Sequence, residues 1–239
     1  MNIAVIIAGG VGARMNLDIP KQFISVNDKP VIIHTLSAFQ KHPSVDAIEV
    51  VCLEGWHETL KAYAKQSGIT KLQWVITGGA SAQESIRNGV FNLEGKCEPD
   101  DIIIIHDGIR PLVDDAVLSD VIVKCQQYGN AVTSLPYNEQ IFIADDDIST
   151  TKYIPHAKQS GAYRLRRHTN FRLLMRNITR HFEQGIGISG SSYANTMMAD
   201  LGVRLYFAAG SDKNIKLTTK DDLEMFRAYL MRRKENYDA

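Results

Sequence analysis

Short apolar runs and helical patterns alternate along the first half of the chain. The apolar runs are typical of buried strands, and they lie at 3–7, 46–53, 72–77, 101–107 and 130–136. Patterns with helical spacing lie between them, at about 30–41, 56–68, 81–93 and 114–128. This alternation predicts an α/β fold with a doubly wound, mostly parallel sheet that helices cover on both faces. Ligands of such sheets bind beyond the carboxyl ends of the strands.

A different pattern occupies residues 140–154, where two β-rich runs flank Asp145, Asp146 and Asp147. Two short strands around a polar turn are the mark of a hairpin and not of a helical crossover. The sequence therefore predicts a protruding β-hairpin arm at about 137–158.

The end of the chain returns to regular structure. Residues 202–210 read as a strand, and a helix follows with Thr219 and Asp222 as an approximate capping box. Its core-facing positions are Leu223, Phe226 and Leu230. We expect residues 1–239 to form a single domain, since this length suffices for one large core.

The amino-acid composition argues against several classes of protein. Lys and Arg number 27 and Asp and Glu 27, so no net charge favours nucleic acid or an anionic membrane. The three cysteines, Cys52, Cys97 and Cys125, are far apart and odd in number, which argues against disulfides or a zinc site and indicates core filling. No basic leader and no apolar run of membrane length is present, so a cytoplasmic protein is expected.

The first candidate site is the stretch VIIAGGVGARMNLDIPKQF, which follows the first strand. Gly9, Gly10 and Gly12 allow backbone N–H groups to approach an anion closely. Arg14 and Lys21 then add two cations, which suits a triphosphate whose charge grows in the transition state. For the glycines alone, a tight strand-to-helix turn without a ligand is an equal alternative.

Two common nucleotide motifs are excluded at this loop. The Gly-Lys-Ser/Thr of a P-loop is absent, and Met15 stands where the dinucleotide fingerprint needs its third glycine. An NAD(P)-binding protein is therefore disfavoured.

The second candidate site is IIIIHDGIRP. Four isoleucines predict a strand buried on both faces, with His106 and Asp107 at its carboxyl end. Asp107 could hold Mg²⁺ against substrate phosphates, because Mg²⁺ takes only one or two protein carboxylates. The structural alternative is a turn-capping aspartate beside a satisfied core histidine. Lys216 is a third cation, and taken alone it reads as a surface lysine.

Four motifs in order, AGGVGARM…PKQF, GGASAQESIRNG, HDGIRP and NIKLTTKDDL, resemble the cytidylyltransferases that act on sugar-alcohol phosphates. That family includes the 2-C-methyl-D-erythritol 4-phosphate enzymes of isoprenoid synthesis and the ribitol-5-phosphate enzymes of cell-wall and capsule synthesis. The resemblance spans nearly the whole chain, and it implies a Rossmann-like nucleotidyltransferase fold and a homodimer formed through the arm. The segments AGG and KPVIIHTL lean toward the ribitol-phosphate group.

The resemblance also implies roles for individual residues. CMP would pass from CTP and Mg²⁺ to a polyol phosphate, giving a CDP-polyol and pyrophosphate. The charged residues that would act on the phosphates are Arg14, Lys21 and Lys216. The nucleotide would contact Ala8, Gly9, Gly10, Gly12, Gly79, Ser85 and Asp107, and Asp107 would hold the metal.

Several positions depart from the family pattern. An arginine expected after the arm is Gln159, a Gln-Thr-Pro-Gln motif is replaced by RRHT, an expected arginine is Ala82, and an expected acidic residue is Tyr193. Arg164, Arg166 and Arg167 are candidates for binding the acceptor phosphate together with Gln159, unless this cluster is a solvated helix end. A non-catalytic nucleotide-binding relative is the competing hypothesis.

Overall fold

A sheet of seven strands forms the centre of the fold. The computed structural model describes residues 1–10, 19–136, 141–154, 163–185 and 193–235. The strands are β1 (Asn2–Ala8), β2 (Ser25–Val26), β3 (Lys29–Pro30), β4 (Ala47–Cys52), β5 (Leu72–Thr77), β6 (Ile102–Asp107), β7 (Asn130–Pro136), β8 (Ile141–Ile143), β9 (Lys152–Ile154), β10 (Tyr163–Asn170) and β11 (Phe207–Ala209). The helices are α1 (Val31–Lys41), α2 (His57–Gln66), α3 (Ala82–Asn92), α4 (Asp115–Tyr128), α5 (Phe171–Gln184), α6 (Ala194–Asp200) and α7 (Lys220–Glu235).

The order of the strands confirms the predicted α/β sheet. Across the sheet they run β11-β7-β10-β6-β1-β4-β5. Strand β1 pairs in parallel with β4 and β6, β4 with β5, and β7 with β11. Strand β10 is antiparallel to both β6 and β7. The sheet is thus mostly parallel, with one antiparallel strand inserted near its middle.

Apolar side chains cover both faces of this sheet. Strand β1 alternates between two clusters, with Ile6 in the first and Val5 in the second, and both are fully buried. The first cluster packs α1, α2 and α4 on one face through Ile32, Leu36, Phe39, Leu60, Leu118 and Val121. The second packs α3, α5 and α6 through Ile86, Val90, Leu174, Ile178 and Met197. This two-sided burial explains the unbroken apolar runs of β1 and β6.

The C-terminal helix begins with the predicted capping box. The Asp222 N–H donates to Thr219 Oγ1 at 3.2 Å, and the Thr219 N–H donates to Asp222 Oδ2 at 2.8 Å. The predicted stripe also packs inward: Leu223 and Phe226 are buried, and Leu230 is half-buried against the same cluster. Leu217 is buried in the same cluster and donates its N–H to the Ile109 carbonyl at 2.9 Å, so the loop that carries Lys216 lies beside the loop after β6.

Strands β8 and β9 form the predicted hairpin. They pair antiparallel with each other, in a two-stranded sheet separate from the central one. Phe142, Ile148 and Tyr153 are exposed on it. The remainder of the predicted arm, at 137–140 and 155–158, lies outside the described residues.

Two expectations for the second half of the chain need correction, and two helices there were not predicted. The predicted strand at 202–210 is limited to β11, and the preceding residues run as a loop. The interpretation of Arg164, Arg166 and Arg167 as a helix end is wrong, because these residues belong to β10. Helices α5 and α6 were not predicted, although the pairing of Leu174 with Ile178 is a helical signal.

The cysteines fill the core as expected. Cys52 and Cys125 are buried and Cys97 is half-buried, and all three are free thiols. Burial raises the pKa of Cys52 and that of Cys97 to about 11, so neither thiol is ionised near neutral pH. In the described part of the chain, no helix combines the length and apolar character needed to cross a membrane.

Candidate functional site

One cavity of about 440 Å³ lies at the carboxyl ends of β1, β4, β5 and β6. Parallel strands end at the same edge of a sheet, which is where ligands of open α/β folds bind. Eight of the residues singled out from the sequence line this cavity: Ala8, Gly9, Gly10, Lys21, Gly79, Ser85, Asp107 and Lys216. The structure therefore brings together four segments that are far apart in the chain.

The turn after β1 is held by a buried glutamine. The Gln22 Nε2 amide donates to the Ala8 carbonyl oxygen at 2.8 Å and to that of Gly10 at 3.0 Å. Gln22 is 1% exposed, so water does not compete for these bonds. Sequence reasoning gave Gln22 no role, because a glutamine between Lys21 and an apolar residue carries no signal of its own.

Lys21 begins a short 3₁₀ turn that Pro20 introduces. The φ of Pro20 is −56°, and its carbonyl accepts the Phe23 N–H at 2.8 Å. The turn places the half-buried Lys21 at the cavity while Gln22 and Phe23 pack inward. A cation is thereby fixed beside the glycine turn, as the sequence predicts.

The turn after β1 touches the turn after β5 backbone to backbone. A Cβ on Gly9 would lie 3.2 Å from the Cα of Gly78, and one on Gly78 would lie 3.1 Å from the Cα of Gly9. A Cβ on Gly79 would lie 2.3 Å from the Cβ of Glu84. Real Cβ atoms essentially never come as close as 2.3 Å, so a side chain at Gly79 would force this turn away from α3. A side chain at Gly9 or Gly78 would make a contact tighter than nine in ten real ones, so the two turns would have to move apart slightly.

Ser85 joins this second turn to α3. Its Oγ accepts the Gly79 N–H at 3.0 Å, and the hydroxyl hydrogen remains to donate. Helix α3 is itself capped by Ser81, whose Oγ accepts the Glu84 N–H at 3.1 Å. Ala82, where the family pattern has an arginine, is the first residue of α3 and lines the cavity.

Asp107, at the end of β6, is bracketed by two cations. Its Oδ2 lies 2.7 Å from Arg110 Nε and 3.4 Å from Lys216 Nζ. Arg110 Nη1 also donates to the Asn214 carbonyl at 3.1 Å, two residues before Lys216. Arg110 therefore joins the loop after β6 to the loop that carries Lys216. The motif HDGIRP contained this arginine together with Asp107, but its second partner, Asn214, is 104 residues away along the chain.

His106 fits the structural alternative. Its Nε2 is 3.0 Å from the Arg110 carbonyl oxygen, and its ring packs edge-on against Phe39 with 5.0 Å between the centroids. The side chain is buried, so it supports the turn from below.

The donor set at the cavity fits a metal that draws most of its ligands from substrate and water. Across 1–10, 19–136, 141–154, 163–185 and 193–235, no group of three or more His, Cys, Asp and Glu is placed to hold an ion. Among the described residues that line the cavity, Asp107 is the one carboxylate. One or two carboxylates suffice for a divalent metal that takes its other ligands from water and phosphates.

Several predicted site residues cannot be placed at the cavity. Gly12, Arg14 and Gln159 lie outside the described residues. Arg164, Arg166 and Arg167 lie in β10, where their Cα partners are Leu135, Thr133 and Val132 of β7.

Comparisons with known proteins identify the family. A family model described as IspD, 2-C-methyl-D-erythritol 4-phosphate cytidylyltransferase, matches residues 2–232. A ribitol-5-phosphate cytidylyltransferase of Lacticaseibacillus paracasei is 55% identical over 235 residues, which cover 96% of this chain and 98% of that protein. A 2-C-methyl-D-erythritol 4-phosphate cytidylyltransferase of Desulforamulus reducens is 30% identical over 236 residues, 97% of this chain and 96% of that protein.

A solved structure agrees in fold. The 4-diphosphocytidyl-2C-methyl-D-erythritol synthase of Anaerococcus prevotii superimposes with a TM-score of 0.78, covering 97% of this chain and 96% of that one, at 18% identity. The resemblance drawn from the motifs is confirmed, and the chain belongs to the IspD family of cytidylyltransferases.

Proposed function

We propose that this protein transfers CMP from CTP to a polyol phosphate, with ribitol 5-phosphate as the preferred acceptor, and releases pyrophosphate. The observation that carries the proposal is the cavity where Lys21, Lys216 and Asp107 meet around the glycine turn. The 55% identity to a ribitol-5-phosphate cytidylyltransferase supports the choice of acceptor. The 30% identity to a 2-C-methyl-D-erythritol 4-phosphate enzyme makes that phosphate the second candidate.

The reaction needs charge and alignment more than a covalent nucleophile. An oxygen of the acceptor phosphate bonds to the α-phosphorus of CTP, and the bond from that phosphorus to the bridging oxygen breaks as pyrophosphate leaves. Both reactants are anions, so cations must offset their repulsion and hold them in line. Arg14 and Lys21 would bind the triphosphate beside the backbone N–H groups of Gly9 and Gly10, and Lys216 would contact the α-phosphate.

The other side of the cavity would receive the base. Gly79 and Ser85 would lie against the cytidine, because the turn after β5 leaves backbone and one hydroxyl facing the cavity. Mg²⁺, held by Asp107, would supply further positive charge to the phosphates when bound. The two cations that contact Asp107 Oδ2, Arg110 and Lys216, would keep this carboxylate oriented.

A pyrophosphate-release screen tests the proposal. CTP, UTP and ATP are each combined with ribitol 5-phosphate, 2-C-methyl-D-erythritol 4-phosphate and other polyol phosphates, with Mg²⁺ present. We expect release with CTP and ribitol 5-phosphate. Faster release with 2-C-methyl-D-erythritol 4-phosphate would select the second candidate. CTP binding without release from any pair would favour a non-catalytic relative.

Asp107→Asn is expected to raise the Mg²⁺ concentration for half-maximal velocity by at least about 10-fold, since even outer-shell partners of metal ligands are worth about 10- to 100-fold. The amide oxygen of asparagine can still accept from Arg110, so the turn should keep its shape. Metal titrations of initial velocity measure the shift, with the exposed Asp212→Asn as control. Superimposable curves for wild type and Asp107→Asn would leave Asp107 with a structural role alone.

The acceptor phosphate brings about two negative charges and needs a cation in place of the family arginine that is Gln159 here. If Arg164, Arg166 or Arg167 supplies it, alanine at that position should raise the acceptor KM by about 10- to 100-fold and that of CTP much less. Steady-state kinetics measure the split, with the exposed Arg172→Ala as control. Three unchanged acceptor KM values would place the acceptor phosphate elsewhere.

The arm is expected to form a homodimer. An isolated two-stranded hairpin is marginal in water, and this one exposes Phe142 (62%), Ile148 (96%) and Tyr153 (58%). Sedimentation at micromolar concentration should give a dimer for wild type and a monomer for Phe142→Asp combined with Ile148→Asp. Val123→Asp is the control, because Val123 is an apolar residue of α4 whose exposure of 57% is close to that of Phe142. A wild-type monomer would refute the dimer.

A further inference from the structure

Tyr193 lies against the lysine that the proposed function places on the α-phosphate. The Lys216 Nζ is 5.4 Å from the centroid of the Tyr193 ring, within the range of a cation–π contact. The same ammonium is 3.4 Å from Asp107 Oδ2. Lys216 therefore contacts both a carboxylate and an aromatic ring.

The backbone of Tyr193 is tied down at this point. Its carbonyl oxygen accepts from Gln83 Nε2 at 3.0 Å, Thr196 Oγ1 at 2.7 Å and the Met197 N–H at 3.1 Å. Gln83 is buried and follows Ala82, which lines the cavity. The start of α6 is thus fastened to the start of α3, and the ring has a fixed base from which to meet Lys216.

We propose that Tyr193 is a positioning residue, whose ring holds the Lys216 ammonium toward the α-phosphate without neutralising it. The inference rests on the proposed function of Lys216. An aromatic face attracts a cation through its quadrupole, yet it carries no net charge and leaves the N–H donors to a phosphate. A carboxylate at position 193, which the family pattern leads one to expect, would instead compete with the phosphate for those donors.

The distances from Asp107 to its two cations support a positioning role for Tyr193. Arg110 lies closer to Asp107 Oδ2, at 2.7 Å, than Lys216 does at 3.4 Å. The carboxylate is therefore shared, and Lys216 retains positive charge for a substrate. Tyr193 then restricts where that charge can go, since a lysine side chain has many rotamers and loses them only where contacts hold it.

A double-mutant cycle tests the proposal. Tyr193→Leu and Lys216→Met are made singly and together, and kcat, KM and the Kd of CTP are measured for all four proteins. We expect Tyr193→Leu to lower kcat by about 3- to 10-fold in the wild-type background, the range of a partly exposed cation–π contact. In the Lys216→Met background the same change should have no further effect. Tyr128→Leu, an exposed tyrosine stacked on Tyr206, is the matched control.

Two further variants distinguish loss of the aromatic ring from damage to the fold. Tyr193→Phe keeps the aromatic face and should restore kcat to within about twofold of wild type. Tyr193→Asp should lower kcat at least as much as Tyr193→Leu, and added salt should relieve part of that loss by screening the new ion pair. A merely structural role of Tyr193 would not predict this order of kcat values among the variants.

The outcomes distinguish this inference from the proposed function. Tyr193→Leu could change kcat and the Kd of CTP by the same factors in the wild-type and Lys216→Met backgrounds. That result would overturn the positioning role, and measurable turnover would leave the proposed transfer reaction intact. Coupling in the Kd of CTP without any turnover would support the positioning role and refute the transfer reaction. Loss of activity in Tyr193→Phe equal to that in Tyr193→Leu would also overturn the role of the ring.

Discussion

Lys21→Ala is expected to lower kcat by about 10²- to 10³-fold, the loss typical of removing one group that stabilises transition-state charge. Lys21 lines the cavity beside the glycine turn, on a 3₁₀ turn that Pro20 and Gln22 fix in place. Charge builds on the phosphates as pyrophosphate departs, so a preorganised cation acts on the transition state more than on bound CTP. The same loss is expected for Lys216→Met and for Arg14→Ala.

Single-turnover and steady-state kinetics with CTP and the acceptor from the screen measure this loss. Lys29→Ala, which removes an exposed lysine of β3, is the matched control and should behave as wild type. The fold should survive Lys21→Ala, because the buried residues of that turn are Gln22 and Phe23. Normal turnover by Lys21→Ala would refute the phosphate site.

Glu49 is expected to make the protein less stable as the pH rises from about 4.5 to 7. This residue of β4 is fully buried, and its Oε2 accepts from Asn92 Nδ2 at 2.6 Å. Among the described residues, its Oε1 has no hydrogen-bond partner. Burial raises the pKa of Glu49 from 4.5 to about 7, and the Asn92 amide and the Lys96 charge offset only part of that rise.

The direction of this change in stability with pH follows from proton linkage. Because the folded pKa is the higher one, the native state binds the proton more tightly than the unfolded state does. Its contribution to stability is complete below pH 4.5 and is lost as the pH rises through about 7. A shift of this size corresponds to about 3 kcal/mol of unfolding free energy.

Glu49→Gln removes the titration and tests this account. Urea unfolding from pH 5 to 8 should show a decline for wild type that is absent in Glu49→Gln, which should be the more stable protein at pH 8. Glu94→Gln, which alters an exposed glutamate just after α3, is the control and should keep the wild-type slope. Parallel profiles for wild type and Glu49→Gln would show that Glu49 is not the titrating group.

The sequence predicts the elements whose signal is local. Helices α1 to α4 and strands β1, β4, β6 and β7 lie within a residue or two of the predicted ranges, because apolar spacing alone specifies them. Strand β10 was missed because its letters, YRLRRHTN, are mostly basic and polar. Its place is set by backbone pairing with β6 and β7, which composition does not encode.

The candidate site likewise contains residues that the sequence indicates and residues that it does not. The positions of Gly9, Lys21 and Asp107 at one cavity could be predicted, because glycines and charges at strand ends suggest phosphate chemistry by themselves. Gln22 and Arg110 could not, because their importance comes from contacts that only the fold creates, such as the bond from Arg110 to the Asn214 carbonyl.

The insertion of β10 between β6 and β7 has a consequence for synthesis of the chain. Strand β6 gains its second neighbour only after the hairpin has been made and Tyr163–Asn170 has followed. A nascent chain therefore presents the open edge of an isoleucine-rich strand while the ribosome translates the intervening residues, and open apolar edges template aggregation. Chains truncated before Tyr163 should then need chaperones to stay in solution, whereas chains cut after Asn170 can close the centre of the sheet.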